Sequence, residues 1–134
     1  MSVELQSHAT RLADGATQAG LQLDDSVIGT CLDFLALLFQ WTRVHNLTGP
    51  ITLADAVTRH LLDSLVISPL LRGTRALDIG SGAGFPGLPL AIARPDIDWT
   101  LLDNRVKRIG FLSQARARLR PVSYTHLPLP TNRE

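Results

Sequence analysis

The chain has 134 residues, 45% of them hydrophobic, and thirteen basic against twelve acidic residues leave a formal charge of +1. That fits one globular domain. A single cysteine, Cys31, excludes an intrachain disulfide and a cysteine-cluster metal site, and it agrees with a reducing compartment.

Charge is divided unevenly along the chain. Residues 1–70 carry three arginines against seven acids, whereas residues 71–134 carry ten basic groups against five acids. The positive second half suits an anionic partner such as nucleic acid. The N-terminus has no basic start followed by an apolar block, so no secretory signal is expected. The longest apolar run, Phe34 to Phe39, has six residues. A membrane span needs about 20, and none is expected.

Leu5, Ala9, Leu12, Ala13 and Ala16 recur at helical spacing over residues 3–19, and Gly20 supplies a C-terminal stop. Asp24 is the expected N-cap of a second helix that runs to about Val44. Its Val27, Ile28, Cys31, Leu32, Leu35, Leu38 and Phe39 form one apolar stripe, with Leu23 beside its start. Cys31 within that stripe reads as a buried, inert thiol. Asn46-Leu-Thr-Gly-Pro50 breaks the helix. Thr52, with Asp55 three residues on, reads as a capping-box variant opening a third helix that carries Val57, Leu61 and Leu65 and stops before Pro69.

From residue 75 the pattern changes to strand, turn, helix, strand, helix. Arg75-Ala-Leu begins a strand that runs into the turn Asp78-Ile-Gly80-Ser81-Gly82-Ala-Gly84-Phe85-Pro-Gly87, and a helix follows from Leu88 until Arg94-Pro95-Asp96 ends it. Trp99 to Leu102 makes a second strand that ends in Asp103. A last helix is expected from about Arg105 to Leu119, with Val106, Ile109, Phe111, Leu112 and Ala115 as buried candidates. This order predicts parallel pairing through a right-handed crossover. The helices of residues 1–70 are expected to pack on the core of residues 71–120 as an appendage. Residues 121–134 include three prolines and lose all apolar periodicity, which predicts a largely disordered tail; the stretch also resembles translated adapter read-through, so a non-native tail is expected.

The glycine turn carries the chemistry. Glycines at alternate positions let the backbone take positive φ and approach a ligand, and the helix behind them offers unpaired N–H groups. Asp103 lies 21 residues after Gly82, close to the spacing of about 20 at which nucleotide-binding βαβ units place an acid for ribose hydroxyls. Asp78 stands two residues before the first glycine, where a dinucleotide's pyrophosphate would meet its charge. S-adenosylmethionine (SAM) has no phosphate and carries a sulfonium and an ammonium, so this carboxylate favours SAM. A nicotinamide- or flavin-binding Rossmann fragment is the alternative, as is a non-catalytic RNA-binding module in which the glycine loop is only a tight turn. In such a module Asp78 and Asp103 are a turn acid and a strand-end acid, and His60 is a packing histidine. His8, His45, His60 and His126 are scattered without paired ligand spacing, and no metal site is expected. Arg105, Lys107, Arg108, Arg116, Arg118 and Arg120 place six positive charges with no acid among them, a candidate phosphate-facing surface.

Trp41, Asn46-Leu-Thr48, Arg59-His-Leu-Leu-Asp-Ser64, Asp78 to Pro89, and Leu101-Leu-Asp103 with Lys107-Arg108 follow one another in a specific order. In these blocks, over about residues 20–120, the chain resembles the bacterial ribosomal RNA small-subunit methyltransferase G family, also called glucose-inhibited division protein B. The resemblance implies a truncated Rossmann-like, class I SAM-dependent α/β fold with an N-terminal helical extension. It implies transfer of the SAM methyl group to N7 of a guanine in 16S ribosomal RNA by a cytoplasmic monomer that uses no metal. Gly80, Ser81, Gly82, Gly84 and Phe85 would border SAM, Asp78 would face its methionine end, and Asp103 would hold the ribose. Arg105, Lys107 and Arg108 would meet RNA, and no residue is assigned a catalytic proton transfer. Only two of the family's seven strands are recognisable, so an incomplete and inactive copy is expected.

Overall fold

In the computed structural model, which describes residues 3–45, 51–80, 83–119 and 124–128, two long helices come first. The first, α1 (Val3–Gln18), buries His8, Leu12 and Ala16. It ends where Gly20 takes φ 80, so that the Leu21 N–H reaches the Ala16 carbonyl at 2.8 Å and the Gly20 N–H reaches that of Thr17 at 3.0 Å. Those two bonds satisfy carbonyls that a helix end otherwise leaves unpaired. The second, α2 (Asp25–His45), is long and apolar enough over Asp25–Val44 to suit a membrane span by composition alone. Its apolar side is used inside the protein instead, where Cys31, Phe34, Leu35 and Leu38 are buried in the shared core.

The third helix is not the uninterrupted α-helix expected. Its Thr52 cap forms, with the hydroxyl accepting the Asp55 N–H at 3.1 Å. One α-turn, α3 (Leu53–Asp55), then widens into a π-helical segment (Ala56–Leu62) before α4 (Asp63–Leu65) resumes the tighter winding. The four-residue spacing of Val57, Leu61 and Leu65 gives the reason. At 3.6 residues per turn such a row drifts around the helix, and a wider turn keeps all three in the core, where each is fully buried.

The chain then builds β1 (Arg75–Ile79), α5 (Gly87–Ala93), β2 (Asp98–Asp103), α6 (Val106–Arg118) and β3 (Thr125–Pro128). The strands lie in the order β1-β2-β3 and both pairings are parallel. Within the expected disordered tail, residues 124–128 are ordered and carry β3, which adds a strand to the two recognised. Tyr124 is buried, and its hydroxyl donates to the Leu112 carbonyl of α6. Thr125 and Leu127 stand beside Thr100 and Leu102 of β2. An open parallel edge on β2 and an apolar helix above it are enough to order this short piece, although its own pattern is weak.

α2 packs on both crossover helices, α5 packs on α4, and α6 packs on β3, so the helices gather over one face of the sheet. Four rings tie them together. Phe34 of α2 lies 6.1 Å from Phe111 of α6, Phe111 lies 5.9 Å from Trp41, and Phe34 lies 5.2 Å from Phe85 in the glycine turn. Val106, expected inside, is exposed. It is nine residues from buried Ala115, about two and a half turns, which places it on the opposite side of α6. At the other end of the strands Arg94 acts as a clamp. Its guanidinium donates to the carbonyls of Ser68 at 2.6 Å and Leu71 at 3.1 Å, and it grips Asp96 at 2.9 and 2.8 Å. That pairing holds the Asp96 carboxyl below the usual carboxylate range.

Candidate functional site

The C-terminal ends of β1 and β2 lie side by side, since Ile79 pairs with Leu102 and the Gly80 N–H donates to the Leu102 carbonyl at 2.8 Å. Asp78 is in register with Leu101. Because side chains alternate along a strand, Asp78, Leu101 and Asp103 share the helix-covered face. Two carboxylates thus sit at adjacent strand ends, on the side where the glycine turn leaves β1.

Each carboxylate is oriented by backbone. The Gly87 N–H, at the first residue of α5, donates to Asp78 Oδ2 at 2.9 Å. Glycine lets helix and strand approach this closely, because a Cβ there would run into Leu101 Cδ2 and Asp78 Oδ2. The Arg105 N–H donates to Asp103 Oδ1 at 2.9 Å, and the Arg108 guanidinium lies 3.6 Å from Asp103 Oδ2. Asp103 is 1% exposed.

Between the acids the backbone curls through Gly80 at φ 75 and Gly84 at φ 100, conformations that side chains rarely adopt. The Leu88 N–H closes the curl on the Gly84 carbonyl at 2.6 Å. Ser81 and Gly82 lie outside the described residues, as do Asn46-Leu-Thr48 and Arg120. Phe85, half-buried, turns its ring to Phe34 and to His60, the latter 5.1 Å away at 34°. The Phe85–Pro86 peptide is cis.

Asp78, Gly80, Gly84, Phe85 and Asp103 are therefore brought to one end of the sheet. Gly87, the last glycine of the turn read from the sequence, joins them, as does His60, to which sequence reasoning gave no part in the turn. For Gly87 a signal existed, since the third glycine of a G-x-G-x-x-G run is the one that lets helix and strand approach closely. For His60 the signal was its place in the block of residues 59–64, with no role attached, because its partner Phe85 lies 25 residues away in sequence.

The basic residues do not form one stripe. Arg105 and Lys107 are exposed, while Arg108 is turned toward Asp103. Lys107 and Arg118 are eleven residues apart, about three turns, and share a side of α6. No group of three or more potential metal ligands occurs among the described residues.

Chemically, the arrangement is selective. The N–H at the start of α5, where a Rossmann fold seats a pyrophosphate, is already bonded to an anion of the protein itself. A phosphate there would lie against the Asp78 carboxylate; a cation would be drawn to it.

The family model for rRNA small subunit methyltransferase G matches residues 28–127. The Ribosomal RNA small subunit methyltransferase G of Coxiella burnetii (strain RSA 331 / Henzerling II) is 44% identical over 115 residues, covering 86% of this chain and 56% of the relative. That of Stutzerimonas stutzeri (strain A1501) is 45% identical over 122 residues, 90% of this chain and 57% of the relative. That of Edwardsiella ictaluri (strain 93-146) is 46% identical over 103 residues, 77% of this chain and 50% of the relative. The chain spans about half the length of the curated relatives it matches. By the span of the family match and the identity to these relatives, the chain belongs to the rRNA small subunit methyltransferase G family.

Proposed function

We propose that this chain carries the donor-binding part of a SAM-dependent methyltransferase that modifies a guanine of 16S ribosomal RNA at N7. The observation that carries the reading is the 2.9 Å bond from the Gly87 N–H to Asp78, which puts negative charge where a dinucleotide would need a phosphate. The residues fit a donor with an ammonium and a sulfonium. Asp78 would face the methionine end, Gly80, Ser81, Gly82 and Gly84 would border the donor, and Phe85 would lie along it. Asp103 would accept the ribose hydroxyls, exchanging its 3.6 Å contact with Arg108 for them.

When bound, SAM supplies an electrophilic methyl group. Guanine N7 bears an in-plane lone pair and no proton, so this chain needs no general base. Its task is alignment, which is worth on the order of 7–11 kcal/mol in well-oriented reactions. Exposed Arg105 and Lys107, with Arg108 once it leaves Asp103, would meet phosphates of the ribosomal RNA. The reading entails a cytoplasmic monomer.

Calorimetric titration with SAM and with NADH tests it. Asp78→Asn retains an acceptor for the Gly87 N–H and removes the charge. SAM uptake by the wild-type chain, weakened about tenfold by Asp78→Asn, is the expected result; a charge-assisted contact has that size. NADH uptake in place of SAM, or SAM uptake indifferent to the substitution, would overturn the reading.

A further inference from the structure

The ring contacts assign a role to a residue outside the glycine turn. Phe85 follows Gly84 directly, inside the loop that the Gly84 carbonyl and the Leu88 N–H close at 2.6 Å. Two residues on, the Gly87 N–H holds Asp78. Whatever fixes the Phe85 ring therefore fixes the curl that orients that carboxylate.

Two rings do so among the described residues. Phe34, fully buried in α2, meets Phe85 from the core at 5.2 Å, and His60 meets it at 5.1 Å. His60 is itself well held. It belongs to the π-helical segment, and its carbonyl accepts both the Ser64 hydroxyl, at 2.6 Å, and the Asp63 N–H. The same segment buries Val57 and Leu61 and leaves His60 half-buried beside Phe85. Its departure from α geometry thus coincides with its own contact with the turn through His60, and π-segments recur at such functional places.

We infer that His60 is a positioning residue for the donor turn, acting through Phe85. Its effect on SAM rests on the function proposed above; its effect on the turn does not. The aromatic face, and not the imidazole's proton chemistry, is what Phe85 meets.

The test uses the 134-residue chain with His60→Leu, which keeps bulk without a ring, and His60→Phe, which keeps a ring without nitrogens. Amide hydrogen exchange is followed at Gly87 and Leu88, with the amides of β2 as internal reference, and SAM is titrated in parallel. In His60→Leu the two turn amides exchange about two- to tenfold faster relative to β2, the factor a lost aromatic pair corresponds to, and SAM affinity falls by a similar factor. His60→Phe restores both. Turn amides that track β2 in His60→Leu would overturn the inference. Should His60→Leu not fold, His60→Phe decides: turn protection within twofold of wild type supports stacking, and its loss overturns it. If the wild-type chain takes up no SAM, the donor reading falls, while the exchange result still decides whether His60 positions the turn.

Discussion

On the helix-covered face of the sheet Trp99 and Leu101 are 5% and 0% exposed, whereas on the other face Leu77 and Ile79 of the neighbouring strand stand 56% and 66% exposed. The strands are the same, and the alternation of side chains sends half of each to either side. Asp78 and Asp103 belong to the covered set. The carboxylates of the site are thus held by the same packing that makes the core, and disturbing one disturbs the other. The open face carries no such coupling, so substitutions on the two faces should differ sharply in cost.

Phe111→Ala should have the largest effect. Its ring is fully buried between Phe34 and Trp41, and removing it leaves a cavity that joins α2 to α6. The expected loss is about 3–5 kcal/mol, read from urea unfolding followed by tryptophan fluorescence. A loss under about 1 kcal/mol would mean that the covered face is not the core.

Gly87→Ala comes next and joins packing to the site. The added methyl meets Leu101 Cδ2 and Asp78 Oδ2, so either the helix or the carboxylate moves. Overpacking of this kind costs about 1–3 kcal/mol, and SAM uptake should disappear because Asp78 can no longer take the N–H of residue 87. A Gly87→Ala variant that melts like wild type and still binds SAM would break the link between the covered face and the site.

Much of this arrangement was legible in the sequence because the signals are local. Gly20 marked the end of α1, Thr52 with Asp55 marked the start of α3, and the apolar stripe of α2 marked its buried side. Asp78, the glycines and Asp103 could be placed on strand ends because a βαβ unit has little freedom of length. What was missed depends on contacts between distant segments. The π-winding of 56–62 follows from fitting Val57, Leu61 and Leu65 into one core, and β3 forms on an edge that the neighbouring strand offers. Arg108 was read as a cation for RNA, and only the fold shows that its guanidinium comes to Asp103. Val106 was misread because apolarity was weighed without its helical phase.

A smaller effect on the covered side is pH-dependent. Burial pushes the Cys31 thiol up to about 12 from an ordinary value of 9.0. The folded chain therefore keeps this proton more tightly than the unfolded chain does, so the stability involved is complete below pH 9 and is lost as pH rises from 9 toward 12. By pH 10 the loss should be about 1 kcal/mol. Burial raises the Tyr124 phenol as well, so comparison of wild type with Cys31→Ala separates the two. The alanine variant should be less stable at pH 7 and lose less on moving to pH 10. Parallel losses in both proteins would show that Cys31 is not enclosed.

The smallest effect is expected from Leu77→Thr, which sharpens the comparison from its quiet side. Threonine keeps a branched side chain suited to a strand, so the backbone of β1 is not penalised. Leu77 already leaves more than half its surface to water, and little apolar burial remains to be lost. The backbone pairing of Leu77 with Thr100 survives the change. Melting of this variant should stay within about 0.5 kcal/mol of wild type, and its SAM affinity should be unaltered because the side chain points away from Asp78. A loss of several kcal/mol would mean that this face is covered in solution, and the contrast between the two sides of the sheet would then vanish.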